Sequence, residues 1–168
     1  MEPKMPTHPQ VDPQTLGDHG GHVVYPMPMF VRLAASDPLR TVDFFTRVLD
    51  FDVMFRGPDA DGVPVLVHLR RYKYQDILVM PSRRSVQPSA ALTVSFAAAD
   101  ADALDALAER IRRHAPDVLD GPRDMPWNAR ELTVRDPDGH AFVFFAPART
   151  PIAGSVDDLV RAATRRAP

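Results

Sequence analysis

The sequence predicts an α+β fold made of two βαβββ modules followed by a C-terminal helix, and two observations carry that prediction. The first is a repeated framework. Phe30-Val-Arg-Leu-Ala-Ala-Ser-Asp37, a helical run, Gly57-Pro58 and a hairpin ending at Met80 recur as Thr93-Val-Ser-Phe-Ala-Ala-Ala-Asp100, a helical run, Gly121-Pro122 and a hairpin ending at Phe145. A duplicated supersecondary unit of this kind buries one face of each copy against the other. The second is size: 168 residues, 45% of them hydrophobic, suit one domain with a substantial core.

Residues 1–27 carry Pro3, Pro6, Pro9, Pro13 and Pro26 with almost no apolar periodicity, and read as a flexible arm that cannot offset its ordering entropy by burial. Met29 to Ala35 alternates as a strand, and Asp37-Pro38 supplies an N-cap with proline at the first helical position. Thr41, Phe44, Phe45, Val48 and Leu49 then recur at helical spacing as one buried stripe. Phe51 to Arg56 is a strand stopped by Gly57-Pro58. Val65 to Arg70 and Asp76 to Met80 are strands around the turn Tyr72-Lys-Tyr-Gln75.

The second module repeats this order of elements. Ala91 to Ala98 is a strand, Asp100 caps a helix with Leu104, Leu107 and Ile111 on one face, and Val118-Leu119 is a short strand before Gly121-Pro122. Arg130 to Arg135 and Ala141 to Phe145 are joined by Asp136-Pro-Asp-Gly139, in which proline presets the turn and glycine takes the positive φ. Ser155 to Arg166 has a serine cap and an apolar face of Val156, Leu159, Val160 and Ala163. The expected organisation is an arm over 1–27, a domain over 28–148 with modules at 28–82 and 90–148, and a C-terminal helix over 149–168.

Composition removes several classes of function. A net charge of -2, from 20 basic and 22 acidic residues, lacks the positive excess that neutralises phosphates, so nucleic acid is not an expected partner. The chain has no cysteine, which excludes disulfides, zinc-thiolate sites and thiol nucleophiles. No apolar run has the length of a membrane span or a signal h-region, and the expectation is a soluble, cytoplasmic protein without a membrane partner.

Ser36-Asp37-Pro38 before Val42-Asp-Phe-Phe45 and Leu49-Asp-Phe51, then Trp127 and Arg130-Glu-Leu-Thr-Val-Arg-Asp-Pro-Asp-Gly-His140, resemble the vicinal oxygen chelate superfamily. That superfamily holds glyoxalase I, extradiol dioxygenases, fosfomycin-resistance transferases and bleomycin-resistance proteins, and the resemblance covers roughly Met29 to Ala146. It implies that the paired modules curl their mixed sheets into a cup, in whose metal-dependent members His or Glu occupies one position on each of four inner strands. Those positions fall here on Phe30, Leu78, Thr93 (Ala91 if the register slips by two) and Val143. Phe, Leu, Val and Ala offer no lone pair, and a lone Thr hydroxyl is a poor ligand, so no metal and no cofactor is expected. The resemblance is then to the metal-free branch, which includes antibiotic-binding resistance proteins, and it implies a homodimer.

By the period-two rule the inner wall should include Phe30, Arg32, Leu78, Met80, Thr93, Ser95, Val143 and Phe145, largely apolar with a few polar anchors. Trp127, the only tryptophan, is placed to stack on a planar ligand or to fill a core or dimer contact. Arg32 on an apolar face needs a carboxylate partner such as Glu131, or an anionic ligand. His68 and Glu131 are the candidate acid/base residues, against sheet-satisfied and surface-paired alternatives. His140 reads as solvent-facing at the hairpin. His8, His19 and His22 have metal-binding side chains but sit on the arm without carboxylates. Arg161, Arg165 and Arg166 suit a helix C-terminus. The reading that results is a metal-independent binder of a small aromatic or amphipathic metabolite, including antibiotic sequestration. The alternative is a lyase, isomerase or cyclase of the same fold using Glu131 or His68, and a third is an interaction module.

Overall fold

The computed structural model describes residues 29–150, apart from 73, 89 and 90. The expected arm with His8, His19 and His22, and the expected C-terminal helix from residue 151 onward, lie outside the described residues.

The first module runs β1 (Phe30–Ala35), α1 (Pro38–Asp43), β2 (Asp52–Arg56), β3 (Asp59–Ala60), β4 (Val63–Pro64), β5 (Val67–Arg70) and β6 (Asp76–Pro81). Asp37 caps α1 as its side chain accepts from the Arg40 amide at 3.0 Å, with Pro38 opening the helix. The helix widens into a π-type turn over Phe44–Val48. Phe44, Phe45, Val48 and Leu49 are all buried, as their three- and four-residue spacing predicts. The second module runs β7 (Val94–Ala97), α2 (Ala101–His114), β8 (Leu119–Asp124), β9 (Ala129–Arg135) and β10 (Ala141–Pro147), with a 3-10 turn at Pro116–Val118. Asp100 caps α2 by accepting from the Ala103 amide at 2.8 Å.

The two modules share one sheet topology. Sheet 1 has the order β1-β6-β5-β2 and sheet 2 the order β7-β10-β9-β8, each with its first two strands parallel and the others antiparallel. Three details depart from the sequence expectation. A small β3–β4 hairpin around Asp61-Gly62 precedes β5, whose pairing therefore starts at Val67 rather than Val65. Gly121-Pro122 does not stop a strand. It lies inside β8, where the pairing shifts between Asp120 and Arg123 and Gly121 adopts φ +99°. Finally, β7 begins at Val94, leaving Ala91 and Thr93 ahead of the strand.

Both sheets give one face to a single core, into which Phe45 and Phe51 of the first module reach Phe142 and Phe96 of the second, with ring centroids 5.2 Å and 5.6 Å apart. Full burial of each such ring contributes about 1.5–3 kcal/mol. Two matching polar contacts fix the modules to each other. Ser36, after β1, donates its amide to Asp138 Oδ2 in the β9–β10 turn at 3.0 Å, and its hydroxyl bonds Oδ1. Gln75, in the β5–β6 turn, donates to the Ala97 carbonyl at the end of β7 at 2.7 Å. Among the described residues no helix is long and apolar enough to cross a membrane.

Candidate functional site

Strand register decides which side chains leave the core. On sheet 1, Leu33, Val67, Leu69, Ile77 and Val79 are buried in it, so the opposite face carries their neighbours. Two rows cross that open face: Phe30, Asp76, Arg70 and Asp52, then Arg32, Leu78, His68 and Phe55, with Ala34 and Met80 beyond. On sheet 2, Val94, Phe96, Leu132, Val134, Phe142 and Phe144 belong to the core side, and the open face holds Ser95, Thr133, Glu131, Val143 and Phe145. The wall expected as one surface is thus divided between two sheets. Phe30, Arg32, Leu78 and Met80 share the first, and Ser95, Val143 and Phe145 the second. Thr93 is exposed ahead of β7 and belongs to neither strand row.

Trp127, in the loop entering β9, is 48% exposed and donates its indole Nε1–H to Glu131 Oε1 at 2.7 Å. Glu131 is free to accept because its neighbours are engaged elsewhere. Arg130, on the core side of β9, bonds Asp105 and Asp124, each at 2.9 Å. Arg123, across from Glu131 on β8, bonds both oxygens of Asp120 at 2.6 and 2.9 Å. The hydrogen bond from Arg123 holds the Asp120 carboxyl below the usual carboxylate range. Arg135 donates to the Gly139 carbonyl. The surface pairing considered for Glu131 with Arg130 or Arg135 is therefore replaced by a Trp127–Glu131 contact on the open face.

On sheet 1 the unexpected feature is a buried charge cluster. Asp76 is 2% exposed, and its Oδ1 receives Arg70 Nε at 2.8 Å and His68 Nε2 at 2.7 Å. Asp76 Oδ2 is buried with no hydrogen-bond partner among the described residues. Arg32 does not reach Glu131, which lies on the other sheet; its guanidinium stands over the Phe30 ring, 6.0 Å from the centroid. Sequence periodicity placed His68 and Asp76 on successive strands but gave no sign that they meet, because the contact depends on the register in which β5 pairs with β6.

The positions that would ligate a metal are Phe30 and Leu78 on sheet 1, Val143 on sheet 2, and Thr93 beside it. Among the described residues no group of three or more His, Asp or Glu side chains is arranged to hold a metal ion.

A cavity of about 350 Å³ lies where the free edge of β1 meets the second module, lined by Val31, Leu33, Val94 and Phe142 with Arg32 and His140 among its polar groups. Its volume is in the range of small-molecule pockets. His140, expected to face solvent, is half-buried here, its amide held by Asp136 Oδ1 at 2.7 Å. Apart from Arg32, sequence reasoning missed these residues, since a seam between two edge strands leaves no periodic signal in either.

A family model described as the Glyoxalase/Bleomycin resistance protein/Dioxygenase superfamily matches residues 21–144. No curated protein matches the chain. Among solved structures, TioX from Micromonospora sp. ML1 is 27% identical, covering 71% of this chain and 97% of its own, with a TM-score of 0.57. TnmS3, an antibiotic binding protein from Streptomyces sp. CB03234, is 21% identical, covering 71% and 93%, with a TM-score of 0.55. Lactoylglutathione lyase from Agrobacterium tumefaciens is 18% identical, covering 70% and 91%, with a TM-score of 0.53. The last two likenesses show the fold alone. With the repeated βαβββ topology, the family match over most of the domain establishes that this chain belongs to the glyoxalase/bleomycin resistance protein/dioxygenase superfamily.

Proposed function

We propose that the chain is a metal-independent binding protein of this superfamily that sequesters a small planar or amphipathic metabolite, of the kind an antibiotic represents. The observation that carries the reading is the open face of sheet 2. There the exposed Trp127 ring is held by Glu131, which stands across from Phe145 on β10 with Val143 on the same face, and the ring is ready to stack on a planar ligand. The inner-strand positions that carry His or Glu in metal-dependent members are Phe, Leu, Thr and Val here, which favours burial and stacking over Lewis-acid chemistry. The antibiotic-binding neighbour TnmS3 supports the reading at the level of the fold. Two protomers pair in the cytoplasm, and each cup is completed across the interface. The exposed Val53 and Met54 of edge strand β2 are the apolar surface that pairing covers.

The test is to titrate a panel of planar aromatic antibiotics and metabolites while following Trp127 fluorescence, and to recover the bound compound by mass spectrometry. Saturable quenching with the compound returned unchanged supports the reading; the absence of quenching across the panel overturns it. The His68–Asp76 contact favours a second reading, a lyase, isomerase or cyclase with His68 as base. A chemically altered compound, with conversion lost in His68→Gln and binding kept, would put that reading first.

A further inference from the structure

The open face of sheet 1 carries charged groups that simple stacking does not call for. A sheet face built to receive an apolar ring needs no buried carboxylate, and placing one there costs several kcal/mol unless partners compensate it. Here Asp76 is compensated by Arg70 and His68, and the arrangement fixes the imidazole. A carboxylate oxygen that accepts from Arg70 accepts from His68 as well, so His68 Nε2 carries the proton and, in the neutral ring, Nδ1 keeps its lone pair. Nδ1 has no partner among the described residues, and the side chain is 12% exposed, toward the open face.

Arg32 lies in the same cross-strand row as His68, with Leu78 between them. Its guanidinium has the Phe30 ring beneath it and no carboxylate partner among the described residues. The nearby charge cannot serve: Asp76 is committed to Arg70 and His68, and Asp52 stands at the far end of the other row, across from Arg70. Along this row a cation on β1 and a hydrogen-bond acceptor on β5 stand on either side of Leu78, an apolar floor only 9% exposed, with Phe55 on β2 beyond His68. Two strand spacings put the Arg32 and His68 backbones about 10 Å apart.

We infer that this face is a polar-ended subsite for an aromatic hydroxy acid, in which Arg32 pairs with the acidic group and His68 Nδ1 accepts from a hydroxyl at the opposite end of the ring system. This rests on the binding reading above and adds the ligand class to it. Asp76 acts as a positioning residue that holds the imidazole in the accepting tautomer.

The test uses three naphthalenes: 6-hydroxy-2-naphthoate, which has both groups at opposite ends, 2-naphthoate without the hydroxyl, and 2-naphthol without the acid. Affinities are measured by calorimetry on the full chain. The hydroxy acid is expected to bind about tenfold more tightly than either single-group probe. Arg32→Gln should erase its advantage over 2-naphthol and Arg32→Lys should keep part of it, whereas His68→Phe should erase only its advantage over 2-naphthoate. Equal binding of the three probes to the wild-type protein overturns the inference and leaves the binding reading standing, and that arm needs no variant to fold. Binding of none of them overturns the inference, and the antibiotic panel then decides the broader reading separately. Variants that weaken all three probes alike also overturn it.

Discussion

The indole Nε1 of Trp127 and Oε1 of Glu131 are 2.7 Å apart, and this one bond fixes an exposed ring against the open face of sheet 2. A ring held in place before the ligand arrives loses less rotamer freedom on binding than a mobile one. Trp127→Ala should weaken binding of a planar aromatic ligand about tenfold, the scale of a lost aromatic pair. Glu131→Gln keeps an oxygen that can accept from the indole and should bind like wild type, while Glu131→Ala should fall between. Calorimetric titration of the three variants with one ligand from the antibiotic panel checks the order; equal affinities would remove Trp127 from the site.

The proposed pairing of two protomers has a similarly local test. Val53 and Met54 of edge strand β2 are 49% and 50% exposed, and a lysine at an exposed strand edge opposes both apolar burial and strand pairing. Met54→Lys should shift a dimer toward monomer by at least about tenfold in dissociation constant, as one lost buried apolar side chain of about 1.5–3 kcal/mol implies. Sedimentation velocity across a concentration series reads it. An unchanged dimer would place the interface elsewhere.

Much of this architecture was legible because it rests on local rules. The Asp37-Pro38 and Asp100 caps, the Asp-Pro-Asp-Gly turn and the alternation of Phe142, Phe144 and Ala146 each specify a conformation from within a few residues. The open-face positions of Phe30, Arg32, Val143 and Phe145 came from that alternation. The features that stayed hidden depend on meetings distant in sequence. Arg32 and Glu131 seemed natural partners until the topology put them on different sheets, and His68 gained its meaning only when β5 paired with β6 and brought Asp76 beneath it. Gly121-Pro122 misled for another reason: the same dipeptide that ends β2 in the first module makes a bulge inside β8 in the second.

Asp136 gives a pH dependence with a definite sign. Burial pushes its carboxyl above the usual carboxylate range, although the amides of His140 and Asp138 donate to Oδ1, and Oδ2 has no partner among the described residues. A carboxyl whose folded value is raised contributes stability at pH below its unfolded value and loses it as pH rises through the folded one. Asp136→Asn keeps an oxygen for both amides and does not ionise. The melting temperature of wild type minus that of Asp136→Asn should therefore fall as pH rises above the unfolded carboxylate value of about 4. Asp105 and Asp120, whose carboxyls are held low by arginines, bias both proteins equally and cancel in the difference. A difference that rises with pH would refute the assigned direction.

Gly121 and Gly62 separate backbone strain from steric conflict in the strand that supports Glu131. Both take positive φ, +99° and +78°, where an L side chain is strained by about 1–2 kcal/mol. A Cβ at Gly62 meets nothing within 4 Å, whereas one at Gly121 lies 2.9 Å from the Glu131 carbonyl oxygen and 3.2 Å from Leu132 Cα. These are backbone atoms of β9, which cannot rotate aside as a flexible side chain does. Gly62→Ala should thus cost only the backbone strain, and Gly121→Ala should cost more, about 2–4 kcal/mol in all, as β8 and β9 are forced apart. Because the displaced carbonyl belongs to Glu131, Gly121→Ala should also disturb the contact with Trp127 and shift the emission of this single tryptophan, which Gly62→Ala should leave alone. Chemical denaturation of the two variants, followed by tryptophan emission, measures both effects; equal stability losses would mean that β8 yields at the bulge without strain on β9.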